Sequence, residues 1–342
     1  MNYSKEVNLS LIAPSIPYPL TVKILVTGAA GFIGSHLTER LVSEGHFVIG
    51  LDDLSTGNLK NLEKVSGSAN FQFVGGSVLN REILEELVGK VSYIFHLAAA
   101  VGVFNIVNKP IESLITNVRG TSNVLEVAHS NSIPVFLSSS SEVYGKNIAD
   151  KLAEDSDRIL GSPTVLRWSY SEAKAIDESL AYAYFVEKKL ETRIVRFFNT
   201  VGPRQLGAYG MVVPRFIQSA LANEPITIYG DGNQTRCFAH VFDVVDAVIA
   251  IAFSDKSIGK VVNIGNDFEI SINDLAQKII AETNSKSNII YVPYEEAYGH
   301  SFEDMERRVP SIDLIYRLVG WKPKRDLTMI ISDISEEMSG MH

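Results

Sequence analysis

The segment Thr27-Gly28-Ala29-Ala30-Gly31-Phe32-Ile33-Gly34 limits the fold more than any other part of the chain. Before it stands the apolar run Val22-Lys23-Ile24-Leu25-Val26, the pattern of a buried parallel strand, and after it Ser35-His36-Leu37-Thr38-Glu39-Arg40-Leu41-Val42 reads as a helix. A strand, a tight glycine turn and a helix N-terminus aim backbone N–H groups and the positive end of a helix dipole at a pyrophosphate. In that reading Gly28 suits the turn, Gly31 admits the phosphates to the backbone, and Gly34 lets the helix pack close to the strand, with Phe32 and Ile33 beside the ligand. An ordinary glycine-rich turn fits the same residues. The next strand separates the two: His46-Phe47-Val48-Ile49-Gly50-Leu51 ends in Asp52-Asp53, about 20 residues further on, where a carboxylate can accept both ribose hydroxyls. An acid there disfavours a 2'-phosphate, so the expected cofactor is NAD rather than NADP.

A second stretch, Tyr170-Ser171-Glu172-Ala173-Lys174, carries chemistry. On a helix Tyr170 and Lys174 lie one turn apart on a single face, so the ammonium would stabilise the phenolate and hold the nicotinamide ribose. A phenol of pKa about 10 needs such help to act as a base near neutrality. Chance also produces this pair on many helices. The run Leu137-Ser138-Ser139-Ser140-Ser141-Glu142-Val143-Tyr144-Gly145 weighs against chance, because it follows a buried strand and brings hydroxyls to the sheet edge where the nicotinamide would lie. A hydroxyl there can bond the substrate oxygen whose proton Tyr170 takes; a merely polar turn is the alternative.

Apolar strands expected at 22–26, 46–51, 70–74, 92–97, 133–138 and 192–197 alternate with helices near 34–44, 80–88, 111–130 and 170–189. That alternation is the pattern of an α/β, doubly wound parallel sheet of the Rossmann type. From about residue 200 the pattern loosens, and Pro203, Pro214, Pro225 and the Gly230-Asp231-Gly232 turn mark the shorter elements of a smaller C-terminal α/β lid. The expected division is an N-terminal extension over 1–20, an NAD-binding domain carrying the catalytic residues over 21–200, and a mainly substrate-binding domain over 201–342, from which strands can return to the main sheet.

Composition bounds the class. A chain of 342 residues with 46% hydrophobic content can bury a sizeable core. The single cysteine, Cys237, excludes an internal disulfide framework and a cysteine metal cluster. A formal charge of −9 argues against a nucleic-acid partner. No apolar run reaches the length of a membrane span, and the stretch Leu9-Ser10-Leu11-Ile12-Ala13-Pro14 follows Glu6 and precedes Pro17 and Pro19, unlike a signal peptide. The expected setting is cytoplasmic.

Over residues 22–325 these motifs resemble the extended short-chain dehydrogenase/reductases that modify nucleotide sugars. The glycine turn matches that family's TGxxGFxG, and His96-Leu97-Ala98-Ala99 matches a segment lining its cofactor. The catalytic hydroxyl of the family lies four residues before the tyrosine of its VYG turn, which selects Ser140. The resemblance adds Ser77, Val78 and Asn117 to the cofactor contacts expected of Leu97, Ala98 and Ala99. It also implies a UDP-sugar substrate near Asn199, Arg204, Val213, Arg215, Tyr229 and Arg236, arginine being suited to a diphosphate because its fork meets two oxygens. Helices like 111–130 and 170–189 pair across a two-fold axis in the family, so a homodimer is expected. Two positions depart from it: Ser77 and Ser92 stand where aspartates are usual, and Ser77 can contact the adenine amino group only as a neutral acceptor.

Epimerases, 4,6-dehydratases and decarboxylases of this family share oxidation at C4. The dehydratases carry Asp-Glu after the catalytic hydroxyl, against Ser141-Glu142 here. Most 4-epimerases lack that glutamate. The segment Tyr298-Gly299-His300-Ser301-Phe302-Glu303-Asp304-Met305-Glu306-Arg307-Arg308-Val309-Pro310 is similar to that of the UDP-glucuronate decarboxylases, whose arginine two residues before the proline corresponds to Arg308, and whose arginine three before the tyrosine corresponds to Arg167. A C4-oxidised glucuronate is a β-keto acid, and Arg308 with Ser141 and Glu142 would hold its carboxylate out of plane for loss of CO2. Arg308 as the diphosphate clamp of a UDP-hexose 4-epimerase is the alternative, and Arg307 is expected to be solvated or to face phosphate. An NAD-binding regulator without turnover is disfavoured by the complete Ser140, Tyr170 and Lys174 set.

Overall fold

The computed structural model describes residues 21–102, 108–205, 207, 211–293, 296, 305 and 307–340. The expected N-terminal extension, and Tyr298 to Asp304 with Glu306 of the C-terminal motif, lie outside the described residues.

Alternation of side chains along each strand decides the layers. In β1 (Lys23–Thr27), Ile24 and Val26 pack into one apolar cluster with the helix Val241–Ala252, while Leu25 points into another with Leu84, Val124 and Leu125. Both faces of the strand are therefore dry, as a strand between two helical layers must be. The remaining strands of this sheet are β2 (Phe47–Asp52), β3 (Phe71–Gly75), β4 (Tyr93–His96), β5 (Val135–Ser140), β6 (Thr192–Phe197) and β7 (Val261–Ile264). They form one seven-stranded sheet in the order β7-β6-β5-β4-β1-β2-β3, with every neighbouring pair parallel. Six of the strands fall within two residues of the expected positions. The seventh comes from beyond residue 200, where Val261-Val262-Asn263-Ile264 pairs with β6.

The helices expected at 34–44 and 170–189 are α1 (Phe32–Ser43) and α2 (Ser169–Lys188). The helix expected over 111–130 is broken into Pro110–Leu114, a widened turn Ile115–Arg119, and Gly120–Ser130. The cause is local: Asn117, inside the widened turn, accepts from the Ala100 N–H at 2.8 Å and donates to the Ala100 carbonyl at 3.2 Å. A π-type turn admits the extra residue that this grip needs.

Residues beyond 200 build a smaller core of their own, with Phe216, Ile228, Leu275 and Ile330 at its centre and a two-stranded parallel pair, Ile226–Tyr229 with Ile289–Val292. Among the described residues no helix is long and apolar enough to cross a membrane. The C-terminal ends of β1, β2, β4 and β5 and the inner wall of this smaller core enclose one cavity of about 580 Å³, where open α/β sheets bind ligands.

The packing of α1 on β1 depends on Gly34, since a Cβ there would lie 2.0 Å from the Gly28 carbonyl oxygen. No rotamer relieves a clash with backbone. Gly34→Ala is expected to cost about 2 kcal/mol or more, the scale of a forced overpacking, read as a lowered denaturation midpoint; an unchanged midpoint would refute the close approach.

Candidate active site

The glycine turn is built for close approach by a ligand. Gly28 adopts φ +74°, and a Cβ on it would sit 2.8 Å from the Ala98 nitrogen. No side chain caps α1, whose N-cap is Gly31, so the first-turn N–H groups have no acceptor within the helix. Gly28, Gly31, Phe32, Ile33 and Gly34 all line the cavity. A bare cradle with free amides fits a diphosphate, and thus the dinucleotide expected from the sequence.

Asp52 closes this end. Its Oδ2 accepts from the Ala30 N–H at 2.9 Å and its Oδ1 from the Leu54 N–H at 2.8 Å. Burial raises its pKa, and those N–H groups oppose the rise. Asp52 therefore braces the glycine turn while presenting its carboxylate to the cavity, whereas Asp53 sits at the rim and accepts from the Ser55 N–H at 3.0 Å. Ser77, Val78, Leu97, Ala98 and Ala99 form the facing wall. Two expected contacts are displaced. Asn117 is 1% exposed and spends its amide on Ala100, so it shapes the wall from behind. His96 turns away between Thr27 Oγ1 at 2.8 Å and Thr121 Oγ1 at 3.1 Å, and burial, followed by the Lys174 charge, pushes its pKa down to about 3.

Tyr170 stands in the first turn of α2 and Ser140 at the end of β5, both on the cavity wall. Ser140 Oγ accepts from the Glu142 N–H at 3.2 Å and so sets the start of the turn Ser141–Tyr144. Lys174 lies beneath the wall. Its Nζ donates to the Ser138 carbonyl at 3.0 Å and to Asp177 Oδ2 at 3.2 Å. Enclosure raises the Tyr170 pKa, the Glu142 and Asp177 charges raise it further, and Ser140 and Arg167 oppose the rise. Asp177, buried three residues after Lys174, takes up the ammonium charge. Sequence reasoning missed it, although an acid at i+3 on the same helix face was a usable signal.

Next to this pair lies a charged corner. The Glu142 carboxylate stands between two guanidinia: Arg167 Nη1 donates to Oε2, and Arg308 Nη1 reaches Oε1 at 2.9 Å and donates to Ser141 Oγ at 3.1 Å. Burial works against the Glu142 charge, but Arg167 and then Arg308 hold its pKa down to about 2. One carboxylate is thus shared by two guanidinia, and Arg167 and Arg308 are each 6% exposed. Arg307 points elsewhere: it clasps Glu269 at 2.7 and 2.9 Å and donates to the Asp150 carbonyl at 2.6 Å. Its side chain is 38% exposed, which fits the solvated neighbour expected from the sequence.

The far wall carries Asn199, Arg204, Val213, Arg215, Tyr229 and Arg236. Arg215 stacks 4.5 Å over the Tyr229 ring and donates to the Thr227 carbonyl at 2.9 Å. Arg204 reaches the cavity, but its guanidinium is held by Glu39 of α1 at 2.5 Å and by Ser35 Oγ at 3.1 Å.

The chain matches the NAD dependent epimerase/dehydratase family over residues 24–265. It is 41% identical to a UDP-N-acetyl-alpha-D-glucosaminuronate decarboxylase of Bacillus cytotoxicus, over 88% of this chain and 92% of that one. It is 37% identical to UDP-glucuronic acid decarboxylase 1 of Danio rerio, over 88% of this chain and 69% of the relative. The structure superposes on a UDP-glucuronic acid 4-epimerase from Bacillus cereus, solved with UDP-glucuronic acid and NAD, with a TM-score of 0.84 at 27% identity, covering 94% of this chain and 100% of that one.

A carboxylate whose folded pKa is depressed contributes stability above its ordinary value of 4.5, and that contribution disappears as the pH falls toward about 2. Glu142→Gln is therefore expected to lose on the order of 3 kcal/mol at pH 7 and to lack the acid-dependent loss that the parent shows below about pH 4.5. Denaturant titrations at neutral and acid pH measure it. A penalty of the same size at both would refute the assignment.

Proposed function

Because the chain belongs to the NAD dependent epimerase/dehydratase family, we propose that it oxidises C4 of a UDP-hexuronate and releases the C6 carboxyl group as CO2, as a UDP-glucuronate decarboxylase does. The observation that carries this reading is the corner made by Glu142, Arg167 and Arg308 beside Ser140 and Tyr170. Two buried guanidinia beside the Ser141 hydroxyl suit a substrate carboxylate, and a decarboxylated product no longer offers that charge.

In this reading Tyr170 takes the C4 hydroxyl proton and Ser140 orients that oxygen. Lys174, with two of its N–H groups on Ser138 and Asp177, keeps one for the nicotinamide ribose. NAD, when bound in the glycine cradle, supplies the hydride acceptor. The resulting 4-keto acid has its carboxylate on Arg308 and Ser141. The C5–C6 bond then breaks, CO2 departs, and the electron pair remains on C5 and spreads onto the C4 oxygen, where Ser140 and protonated Tyr170 stabilise it. C5 then takes a proton. Glu142 stays ionised, so it serves as the holder of two arginines and not as the acid that a 4,6-elimination requires.

The relative acting on an N-acetylated hexuronate keeps that sugar within the proposed class. The likeness to a UDP-glucuronic acid 4-epimerase favours one second reading, in which the same corner holds the carboxylate while the 4-keto sugar is reduced from its other face. NMR of UDP-glucuronate, UDP-N-acetylglucosaminuronate and UDP-glucose incubated with enzyme and NAD decides between them. CO2 from a hexuronate is expected, and Arg308→Ala should slow CO2 loss by roughly a hundredfold, the scale of one lost electrostatic contact, while sparing C4 oxidation. An epimerised hexuronate without CO2, or interconversion of UDP-glucose and UDP-galactose, would sink decarboxylation.

We also propose a homodimer through the segments Pro110–Leu114, Ile115–Arg119 and Ser169–Lys188, which expose Ile111, Ile115, Ile176, Tyr182 and Val186. Sedimentation equilibrium should give twice the chain mass of 37.6 kDa; a monomer at micromolar concentration refutes it.

A further inference from the structure

Behind the charged corner runs a polar chain that the chemistry above does not use. Ser139 Oγ donates to Glu178 Oε1 at 2.5 Å, and Arg196 grips the same carboxylate with two bonds, at 2.8 and 2.7 Å. Arg196 Nη1 then donates to the Tyr144 hydroxyl at 2.8 Å, and that hydroxyl donates to Asn263 Oδ1 at 2.8 Å. Asn263 Nδ2 finishes the chain by donating to the Leu152 carbonyl at 2.9 Å and the Ser311 carbonyl at 3.4 Å. Leu152 is itself zipped to the segment that delivers Arg308, through Leu152 N–H to the Val309 carbonyl at 2.8 Å and Ser311 N–H to the Leu152 carbonyl at 2.9 Å.

Every member is buried, and of the five side chains only Ser139 reaches the cavity wall. Tyr144 occupies the pivotal place. It ends the same short turn that carries Ser141 and Glu142, and through Asn263 its hydroxyl holds the segment that carries Arg308. The two sides of the corner are 167 residues apart in the chain, and this phenol is where their supports meet. Arg308 Nη1 meets Ser141 Oγ at 3.1 Å, a contact that fails if either support moves by a fraction of an ångström.

We propose that Tyr144 and Asn263 are positioning residues that set Arg308 against Ser141 and Glu142, and so govern carboxylate handling separately from C4 oxidation. The proposal rests on the decarboxylation reading of Arg308. Directional, fully satisfied buried bonds suit this task, because such a network has one arrangement of donors and acceptors and tolerates little displacement.

Tyr144→Phe removes one oxygen and leaves the ring in place. It should slow CO2 release roughly tenfold or more, the effect of a reacting group held off its productive geometry, with NAD affinity and single-turnover NADH formation unchanged, so that the 4-keto acid accumulates. Asn263→Ala should produce the same split. Placed in an Arg308→Ala background, Tyr144→Phe should add no further loss, because the group it positions is gone. Equal slowing of both steps, or a Tyr144→Phe effect that multiplies with Arg308→Ala, overturns the proposal and leaves the decarboxylation reading standing. Full CO2 release by Arg308→Ala alone defeats that reading, and this inference with it.

Discussion

Two guanidinia cannot share a water-poor corner unless an anion stands between them, and in this protein the anion is Glu142. Its two oxygens are divided between Arg167 and Arg308, so removing it would leave two like charges facing each other on the cavity wall. Desolvating three ions is costly, and only close pairing offsets that cost. Around that carboxylate, Arg167 lies two residues before α2, Ser140 sets the turn in which Glu142 sits, and Arg308 arrives on a distant segment zipped to Leu152. The site is assembled around a charge requirement.

The same logic shapes the redox half of the cavity. Lys174 and Asp177, both on α2, are 2% and 0% exposed, and the buried ammonium is met by the Asp177 carboxylate and by the Ser138 carbonyl. Asp177 thereby keeps Lys174 in place, while enclosure first and then the Glu142 and Asp177 charges raise the Tyr170 pKa.

What the sequence disclosed and what it hid have physical causes. The glycine turn was legible because steric exclusion at Gly28 and Gly34 leaves glycine alone able to stand there, and β1, β2, β4, β5 and β6 because strands buried on both faces read as apolar runs. β7 was illegible: four residues with Asn263 in their midst carry too little pattern, and that asparagine is polar because it serves Tyr144 and Leu152. The widened turn at Ile115–Arg119 left no mark in helical periodicity, since its cause is a contact with Ala100. For the site, side-chain type located Ser140, Tyr170 and Arg308 near one another, but direction was beyond reach. Arg307 and Arg308 are adjacent and chemically identical, and only the fold decides that one clasps Glu269 while the other enters the cavity.

A family that shares one oxidation and diverges afterwards needs the shared part to be insulated from the variable part. Here Ser140, Tyr170 and Lys174 belong to β5 and α2, elements locked into the main sheet, whereas Arg308 arrives on a segment joined to that sheet through Leu152 and Asn263. The first group can remain invariant in geometry while the second is changed. Arg204 marks a comparable junction on the cofactor side: it holds φ +69°, a strained conformation for a residue with a side chain, and ties α1 through Glu39 to the helix Leu327–Ser339 through Glu337. Cofactor cradle and smaller core are thus tied to each other by the polar contacts of Arg204. Substituting the residues that hold Arg308 in place would alter that segment without touching Ser140, Tyr170 or Lys174.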